Sequence, residues 1–457
     1  MNPQFSSTSS SSPSPTSPSA LALLPLTLFL ALFVGAGLWF QWQGEEMAFY
    51  KVSATVAILP AIALAILLAR GPLNRAIDTF VRGAADNTIV TMVLIYLFAG
   101  AFASVAKAIG GVDATVNFGL SVIPPSLVLP GLFLMTAFIA TAMGTSMGTS
   151  MGTIAAIGPI AVGLADATDL SLLLTIGTVV GGAMFGDNLS IISDTTIAAT
   201  RTQGVSMRDK FRMNLLIALP ASFVTLAWLW YSGTTAQVPN PGDYDLALIA
   251  PYILVLVLAV SGVNVLLVLF VGILLAGSIG FALEPDYNIA RLSQDIYAGY
   301  TGMQEILILS LMIGGLGAMM QAGGGIAWLE KTIDRLSRRG RKGQPGRKTG
   351  ELGISAAVAM TNICTANNTV AILLTGQLAK DMATRYGVDP RRSASLLDIY
   401  SCTVQGMLPY GAQVLLASSL ASVSPLALAG SIHYCWLLGI CALLSILVYG
   451  RVSAHKD

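Results

Sequence analysis

GTSMGTSMGT, from Gly144 to Thr153, interrupts an otherwise apolar membrane segment with small and hydroxyl side chains. A second polar break, TNICTANNT from Thr361 to Thr369, interrupts another apolar segment in the second half of the chain. Paired breaks at corresponding places in two halves are the best sequence indication of a transporter binding site. Unwound backbone at membrane depth is tolerated only where it is buried in protein or lines a cavity. The two breaks therefore predict a secondary transporter whose substrate meets both of them.

The composition is that of a polytopic membrane protein. Of the 457 residues, 54% are hydrophobic and 10% are charged, and the mean hydropathy is +0.74. Soluble domains carry roughly 25% charged residues. The four cysteines show no CxxC or cysteine–histidine ligand spacing, so no metal site is expected. The sequence has no P-loop pattern GxxxxGKS/T, which argues against an ATP-driven pump.

Ten stretches have the length and apolar character of membrane-crossing helices, which need about 17–25 residues. These stretches are 21–40, 52–69, 88–106, 171–196, 211–231, 246–262, 264–283, 305–321, 395–420 and 430–450. Residues 130–165 and 352–382 are too long for one helix. Their polar breaks divide each into arms of roughly 13–16 residues, too short to cross alone. Both are therefore predicted to be re-entrant hairpins.

The distribution of basic residues sets the predicted orientation, because cytoplasmic loops carry an excess of lysine and arginine. Basic residues group in five places, namely 70–82, 201–212, 331–348, 380–392 and 451–456. All five groups fall on one side only if the two hairpins do not cross. The predicted fold class is thus an all-α polytopic membrane protein with ten spans and two re-entrant hairpins. Both termini are expected in the cytoplasm, and the chain in the cytoplasmic (inner) membrane of a bacterium.

This topology contains an inverted repeat of two five-element units, each with a re-entrant hairpin. An odd number of spans separates equivalent elements, so the second unit is upside down relative to the first. The predicted domains are a disordered Ser/Pro-rich tail (1–20), an extra membrane helix and loop (21–51), the first unit (52–231), a connecting loop and helix (232–263), the second unit (264–450) and a cytoplasmic tail (451–457).

The densest polar cluster inside a membrane segment is GDNLSIISDTT, residues 186–196. Asp187 and Asp194 are about two helical turns apart, so a continuous helix would put them on one face. Buried acids in a bilayer are costly and mark ion or proton paths by default. The alternative is that this stretch is the cytoplasmic end of a helix, with Asp194 as a solvated cap. On the functional interpretation, the two carboxylates are candidate ion-binding groups.

The two breaks supply hydroxyl and amide oxygens, which suit alkali cations, and carbonyls freed at a helix break add more. The candidate residues are Thr145, Ser146 and Thr149 in the first break, and Thr365, Asn367, Asn368 and Thr369 in the second. Close helix packing would explain the small residues alone, but not the adjacent asparagines. An ion site at the two tips is therefore predicted.

Three further polar residues, Asp398, Gln405 and Gln413, lie on the predicted span after the second hairpin. They occupy the inverted counterpart of the Asp187–Asp194 region. The second half therefore offers amides where the first offers acids, and Gln405 joins the candidate site. Asp398 fits two interpretations equally: a site residue, or an interfacial residue close to Arg391 and Arg392.

The run GDNLSIISDTT, followed by IAATRTQG, resembles the signature of the NhaC-type sodium/proton antiporter family within the ion transporter superfamily. The hairpin segment TSMGTSMGTIAAIGPIA is similar too, and the resemblance covers most of the chain after residue 50. It implies cation-coupled transport through inverted repeats and hairpins. Carried over by this resemblance, the ion-site positions are Asp187, Asn188, Ser190, Asp194 and Thr195. Members often show a proline in the middle of the signature, where this chain has Ile191.

The leading prediction is a sodium/proton antiporter, with no cofactor besides sodium and protons as coupling ions. Members of the family also carry organic acids or amino acids with sodium, so the alternative is a sodium-coupled carrier of a small amino acid or organic acid. Two hairpins that meet in mid-membrane argue against a channel. An enzyme is disfavoured because no nucleophile, base and orienting group occur together. The expected partners are sodium, protons and the lipid bilayer, without nucleic acid; an organic solute and a homodimer are left open.

Overall fold

The structure, a computed structural model, describes residues 17–45, 51–142, 149–190, 193–234, 242–339 and 346–452, and the regular elements in these ranges are all helical. The helices are α1 (Leu24–Trp42), α2 (Ala54–Leu68), α3 (Leu73–Ala84), α4 (Asn87–Ala108), α5 (Gly111–Val122), α6 (Val128–Ala142), α7 (Thr149–Ala167), α8 (Leu172–Leu189), α9 (Asp194–Gln203), α10 (Met207–Thr234), α11 (Leu246–Val260), α12 (Val265–Leu283), α13 (Ile289–Gly302), α14 (Gln304–Ala322), α15 (Gly325–Arg339), α16 (Arg347–Thr365), α17 (Asn368–Tyr386), α18 (Pro390–Gln405), α19 (Ala412–Ala421), α20 (Pro425–Ser431) and α21 (His433–Val452).

Seven helical segments of the described chain are long and apolar enough to cross a membrane, or eight if the bent pair α19–α20 is taken as one. This confirms the prediction of an all-α membrane protein. The predicted spans 52–69, 246–262 and 430–450 correspond to the shorter apolar helices α2, α11 and α21. The figure of ten spans therefore stays a prediction.

The arms of the two predicted hairpins are longer than the sequence suggested. α6 has 15 residues, and α7, α16 and α17 have 19 each. α7 alone meets the length and hydropathy of a membrane-crossing helix, so the expectation that each arm is too short is wrong for it. α16 and α17 are longer than predicted because they continue past their apolar stretches. α16 begins in Arg347-Lys348, and α17 ends in a run that contains Lys380 and Arg385.

Two stretches that were predicted as single spans are interrupted. Residues 171–196 divide into α8 and α9, which are separated by residues 190–193, and residues 395–420 divide into α18 and α19, which are separated by residues 406–411. The second interruption has the sequence GMLPYG. Pro409 has no backbone N–H and glycines flank the segment, so a continuous helix is unfavourable there. The single-span prediction for 395–420 is therefore wrong.

Glycines allow helices from the two halves of the chain to pack backbone against backbone. A Cβ at Gly100 of α4 would lie 2.4 Å from the carbonyl oxygen of Gly299 in α13, and a Cβ at Gly299 would lie 2.3 Å from that of Gly100. In the same way, a Cβ at Gly83 of α3 would lie 2.6 Å from the carbonyl oxygen of Gly314 in α14. Each short helix, α3 or α13, thus packs on a long helix of the other half.

Candidate functional site

The polar run 186–196 contains the first helix interruption. α8 ends at Leu189, and Ser190 takes an extended conformation with ψ of 133° while its N–H still donates to the Gly186 carbonyl. α9 begins at Asp194 with Ser193 as its N-cap, whose hydroxyl accepts from the Thr196 N–H at 3.3 Å. Residues 191–192 lie outside the described residues. The negative end of the α8 dipole and the positive end of the α9 dipole therefore both lie at this buried break.

The interruption separates the two acids that a continuous helix would have aligned. Asp187 is buried in the last turn of α8, with 5% of its surface exposed. Asp194 is the first residue of α9 and is only partly buried. The two side chains thus belong to different helices, and the expectation of a shared helical face is wrong. A carboxylate at the α8 end is disfavoured by the helix dipole, whereas one at the α9 start is favoured by it.

A buried lysine lies at the interruption, and the sequence interpretation missed it. Lys210 was counted among the basic residues of a cytoplasmic loop, but its side chain on α10 is fully buried. Its Nζ donates to the Asn188 carbonyl at 2.9 Å and to the Thr196 hydroxyl at 2.7 Å. It also lies 2.7 Å from Asp398 Oδ2. The Lys210 ammonium thus ties the end of α8 to α9, α10 and α18.

Asp398 lies inside the bundle beside Lys210, so the interfacial interpretation is wrong. Its carboxylate on α18 is fully buried, and Oδ2 accepts from Asn214 Nδ2 at 2.6 Å in addition to its ion pair with Lys210. Asn214 Nδ2 also donates to the Asn188 carbonyl at 2.9 Å. Burying two charges is costly unless they are paired and hydrogen-bonded. This pair meets that condition, because both members have hydrogen-bond partners.

Several buried oxygen atoms along α18 accept no hydrogen bond in the described part of the chain. Among them are Asn214 Oδ1, Asn362 Oδ1, Asp398 Oδ1 and Gln405 Oε1. Asn214 contacts Asp398, and Asn362 Nδ2 donates to the Ser401 carbonyl of α18 at 2.8 Å, so all four atoms belong to or border one helix. An unsatisfied buried acceptor costs about 1–3 kcal/mol. A cation or a donor ligand bound here would remove that cost.

The second hairpin tip lies between α16 and α17. Ala366 ends α16 in the left-handed conformation at a φ of 50°. Asn367 is the N-cap of α17, and its side chain accepts from the Val370 N–H at 3.0 Å. The Thr365 hydroxyl donates to the Asn367 carbonyl at 3.2 Å, and the amide of Asn368 points to Cys402 Sγ on α18 at 3.9 Å. The tip therefore packs on the same helix as the Lys210–Asp398 pair.

A chain of amides connects the two predicted tips. Gln405 Nε2 donates to the Ala366 carbonyl at 3.1 Å and to Gln413 Oε1 at 2.9 Å. Gln413 Nε2 in turn donates to the Ser150 hydroxyl at 3.0 Å, in the first turn of α7. The second tip and the start of α7 are thus linked through two side chains that flank the interruption between α18 and α19.

The structure brings most of the predicted site residues into this region. Those with buried side chains are Asp187, Asn188, Ser190, Thr195, Asn367, Asn368 and Gln405. Thr365 and Thr369 are partly buried at the tip. Thr145 and Ser146 lie outside the described residues, and of Thr149 only the helical backbone is described. The structure adds Lys210 and Asn214 to the predicted site residues. Their only signal in the sequence was a spacing of four residues in the polar first turns of α10.

The chain matches the family model described as "Na+/H+ antiporter family" over residues 8–234 and 244–451. The Malate-2H(+)/Na(+)-lactate antiporter of Bacillus subtilis is 24% identical over 366 residues, which cover 73% of this chain and 75% of that protein. The Na(+)/H(+) antiporter NhaC of Bacillus subtilis is 25% identical over 389 residues, which cover 79% and 83%. Among solved structures, the YdaH transporter of Alcanivorax borkumensis aligns with a TM-score of 0.39 and 12% identity over 95% of this chain and 99% of that chain.

Proposed function

The chain belongs to the Na+/H+ antiporter family, and we propose that it exchanges sodium for protons at the interruption between α8 and α9. Membership of this family makes it a secondary sodium/proton antiporter of the membrane rather than an enzyme. The proposed ion path passes the α8–α9 interruption, the two predicted hairpin tips and the buried face of α18.

The observation that carries the proposal is the buried Lys210–Asp398 ion pair beside unpartnered oxygens on α10, α16 and α18. Transporters place coupling ions at broken helices, where unwound carbonyls and the C-terminal ends of half-helices coordinate the cation. The α8 end offers such carbonyls, and Asn188 already uses one to bind an ammonium group. Oxygen ligands without a hydrogen-bond partner supply the remaining coordination that a hard cation needs.

Asp187 is the proposed exchange group, with Asp194 second. A carboxylate in a membrane interior is stable when it holds either a proton or a cation, so the two ions compete for one oxygen pair. Exclusive occupancy couples the two ions in a site that opens to one side at a time and changes sides only when occupied: sodium binds as the proton leaves on one side, and the reverse happens on the other. Asp187 suits this role because it is more deeply buried than Asp194.

An inverted repeat is the proposed frame for this site. Residues 52–231 would form one unit and 264–450 the other, with 21–51 and 232–263 as additional segments. In each unit an apolar helix is followed by a short helix (α3 or α13), a longer helix (α4 or α14), another short helix (α5 or α15), two arms, an interrupted helix and a final helix. The reciprocal packing of α3 on α14 and of α13 on α4 supports it. We propose the cytoplasmic membrane as location, with both termini inside.

A sodium-coupled carrier of a small amino acid or organic acid is the less supported function. The relative named as a malate–lactate antiporter leaves room for a solute beside the ions. The family match, however, is to sodium/proton antiporters over nearly the whole chain. Sodium-driven proton movement without any added solute separates the two functions.

The Asp187→Asn variant tests the proposed site in proteoliposomes that contain a pH-sensitive dye. The substitution keeps the shape of the side chain and removes its charge. We expect loss of sodium-driven proton movement in a protein that still folds and inserts, and a smaller loss for Asp194→Asn. The matched control is Asp166→Asn, the same substitution at an exposed position of α7. Full exchange by Asp187→Asn would exclude Asp187 as the exchange group.

A further inference from the structure

A cavity of about 380 Å³ lies at one edge of the helical bundle. It is bordered by the segment that leads into α1, by the end of α2 and by the end of α14. The apolar helix α1 begins near this level, and the apolar helices α2 and α14 end at it. Ends of apolar helices mark the boundary between the hydrocarbon core and the headgroup region. The cavity therefore lies at the depth of lipid headgroups.

The lining of the cavity is basic and hydroxylic on one side and apolar on the other. Arg70 and Arg75 contribute the positive charge, and Ser17 accepts from Arg70 Nη1 at 2.6 Å. In the described part of the chain neither arginine forms an ion pair with a carboxylate. The floor includes Met319 and Met320, which are 7% and 2% exposed. Two unneutralised guanidinium groups above buried thioethers form an amphipathic surface.

The wall on the N-terminal side is fixed by backbone contacts. The Ser19 N–H donates to the Gly324 carbonyl at 3.1 Å, and a Cβ at Gly324 would lie 2.2 Å from the Ser17 carbonyl oxygen. Gly324 has a φ of 84° and begins the turn into α15. The N-terminal segment is therefore held against the end of α14 at this position, so the cavity has a defined third side.

We propose that this cavity binds the headgroup of an anionic phospholipid. Guanidinium groups match the geometry of a phosphate, which they bind with two parallel hydrogen bonds. The apolar floor continues toward the membrane interior, where it can receive the first part of an acyl chain. Basic pockets between membrane helices bind such headgroups. The volume lies within the range of about 300–1,000 Å³ that ligand sites occupy.

The surroundings of the cavity favour an anionic lipid over free phosphate. α3, which begins three residues after Arg70, carries Arg75 and Arg82, and α15, which follows α14 directly, carries Lys331 and Arg335. Basic amphipathic helices lie in the interface plane of membranes that contain anionic lipids. A soluble phosphate would gain nothing from the apolar floor, whereas a phospholipid uses both parts of the cavity.

Lipid binding to the purified full-length protein in nanodiscs tests this proposal. The probes are spin-labelled phosphatidylglycerol and phosphatidylcholine, with inorganic phosphate as competitor. We expect wild-type protein to prefer phosphatidylglycerol, and the Arg70→Gln/Arg75→Gln variant to bind it about 30-fold less tightly, from about 1 kcal/mol for each basic residue near an anionic surface. Arg82→Gln is the matched control, because this exposed arginine of α3 does not line the cavity.

Three results would overturn the proposal. One is equal affinity of the double variant and wild type for phosphatidylglycerol. Another is displacement of the lipid by inorganic phosphate, which would indicate a phosphate site. The third is an equal preference of wild-type protein for the two lipids, and this arm stays decisive even if the double variant does not fold. None of these results bears on sodium/proton exchange.

Discussion

The Lys210–Asp398 pair is the residue-scale feature on which the site depends. Both side chains are fully buried, and the pair links α10 and α18 to the end of α8. Removing one partner of such a pair leaves an uncompensated buried charge, whereas removing both does not. The pair is therefore expected to act as a unit in stability, separately from the exchange role proposed for Asp187.

Lys210→Met is expected to lower the free energy of unfolding by about 3–5 kcal/mol, because it leaves the Asp398 charge without its partner. The double variant Lys210→Met/Asp398→Leu is expected to recover most of that loss. Thermal unfolding of detergent-solubilised protein measures both. The control is Lys51→Met, since the exposed Lys51–Glu45 pair should contribute less than about 1 kcal/mol. A double variant that is less stable than Lys210→Met would contradict the expectation that the two residues stabilise the protein as a pair.

At the same scale, the sequence indicated some of the polar residues that the structure buries at the interruption and missed others. Asp187, Asn188 and Ser190, which the structure buries, lie in a polar run that is conspicuous in an apolar segment and that resembles a family signature. Lys210 could not be predicted, because three arginines surround it in sequence and a lysine near a helix start is usually solvated. Its burial follows from how α10 packs against α18, which is a tertiary contact that no local pattern contains.

Among the elements, the interrupted helices position the site, and their ends were the least predictable feature. The break at 190–193 coincides with a polar run that the sequence singled out, whereas the break at 406–411 was read as part of a span. Hydropathy does not reveal the break in GMLPYG, because the apolar residues on both sides give a continuous pattern. The glycines and Pro409 end the helix there, although the hydropathy pattern continues.

The tip between α16 and α17 offers a test of backbone conformation. Ala366 has a φ of 50°, which disfavours any residue with a Cβ but not glycine. Ala366→Gly is therefore expected to raise the free energy of unfolding, by about 1 kcal/mol. Ala356→Gly, at an exposed position inside α16, should lower it by about 1 kcal/mol. Thermal unfolding gives the change in the free energy of unfolding for each variant. Changes of the same sign in both variants would contradict the left-handed conformation of Ala366.

At the scale of the whole molecule, the proposed topology places α15 inside the cell and the segment before α13 outside. The basic residues of α15 motivate the first assignment. In a cysteine-free background, Leu336→Cys should resist an impermeant thiol reagent in intact cells, whereas Asp286→Cys should react with it. Both positions are exposed at the surface of the structure, so neither is covered by the protein itself. Labelling of Leu336→Cys but not of Asp286→Cys would invert the topology.

The overall class was the easiest level to predict, since hydropathy alone indicates an all-helical membrane protein and the structure and family match agree with it. Helix lengths were less predictable: α16 and α17 continue into charged residues that a hydropathy count leaves out. The packing of α3 on α14 and of α13 on α4 depends on glycine pairs far apart in sequence. Such contacts follow from the fold as a whole and have no local signature.

Sodium-driven proton movement by the wild-type protein tests the central claim most directly. The protein is reconstituted in vesicles with a trapped pH-sensitive dye, and a sodium gradient is imposed without any amino acid or dicarboxylate present. We expect that sodium entering the vesicles drives protons out, that reversal of the gradient reverses the signal, and that protein-free vesicles give none. A vesicle pH that stays unchanged under a sodium gradient, or that changes only when an organic solute is added, would contradict sodium/proton antiport.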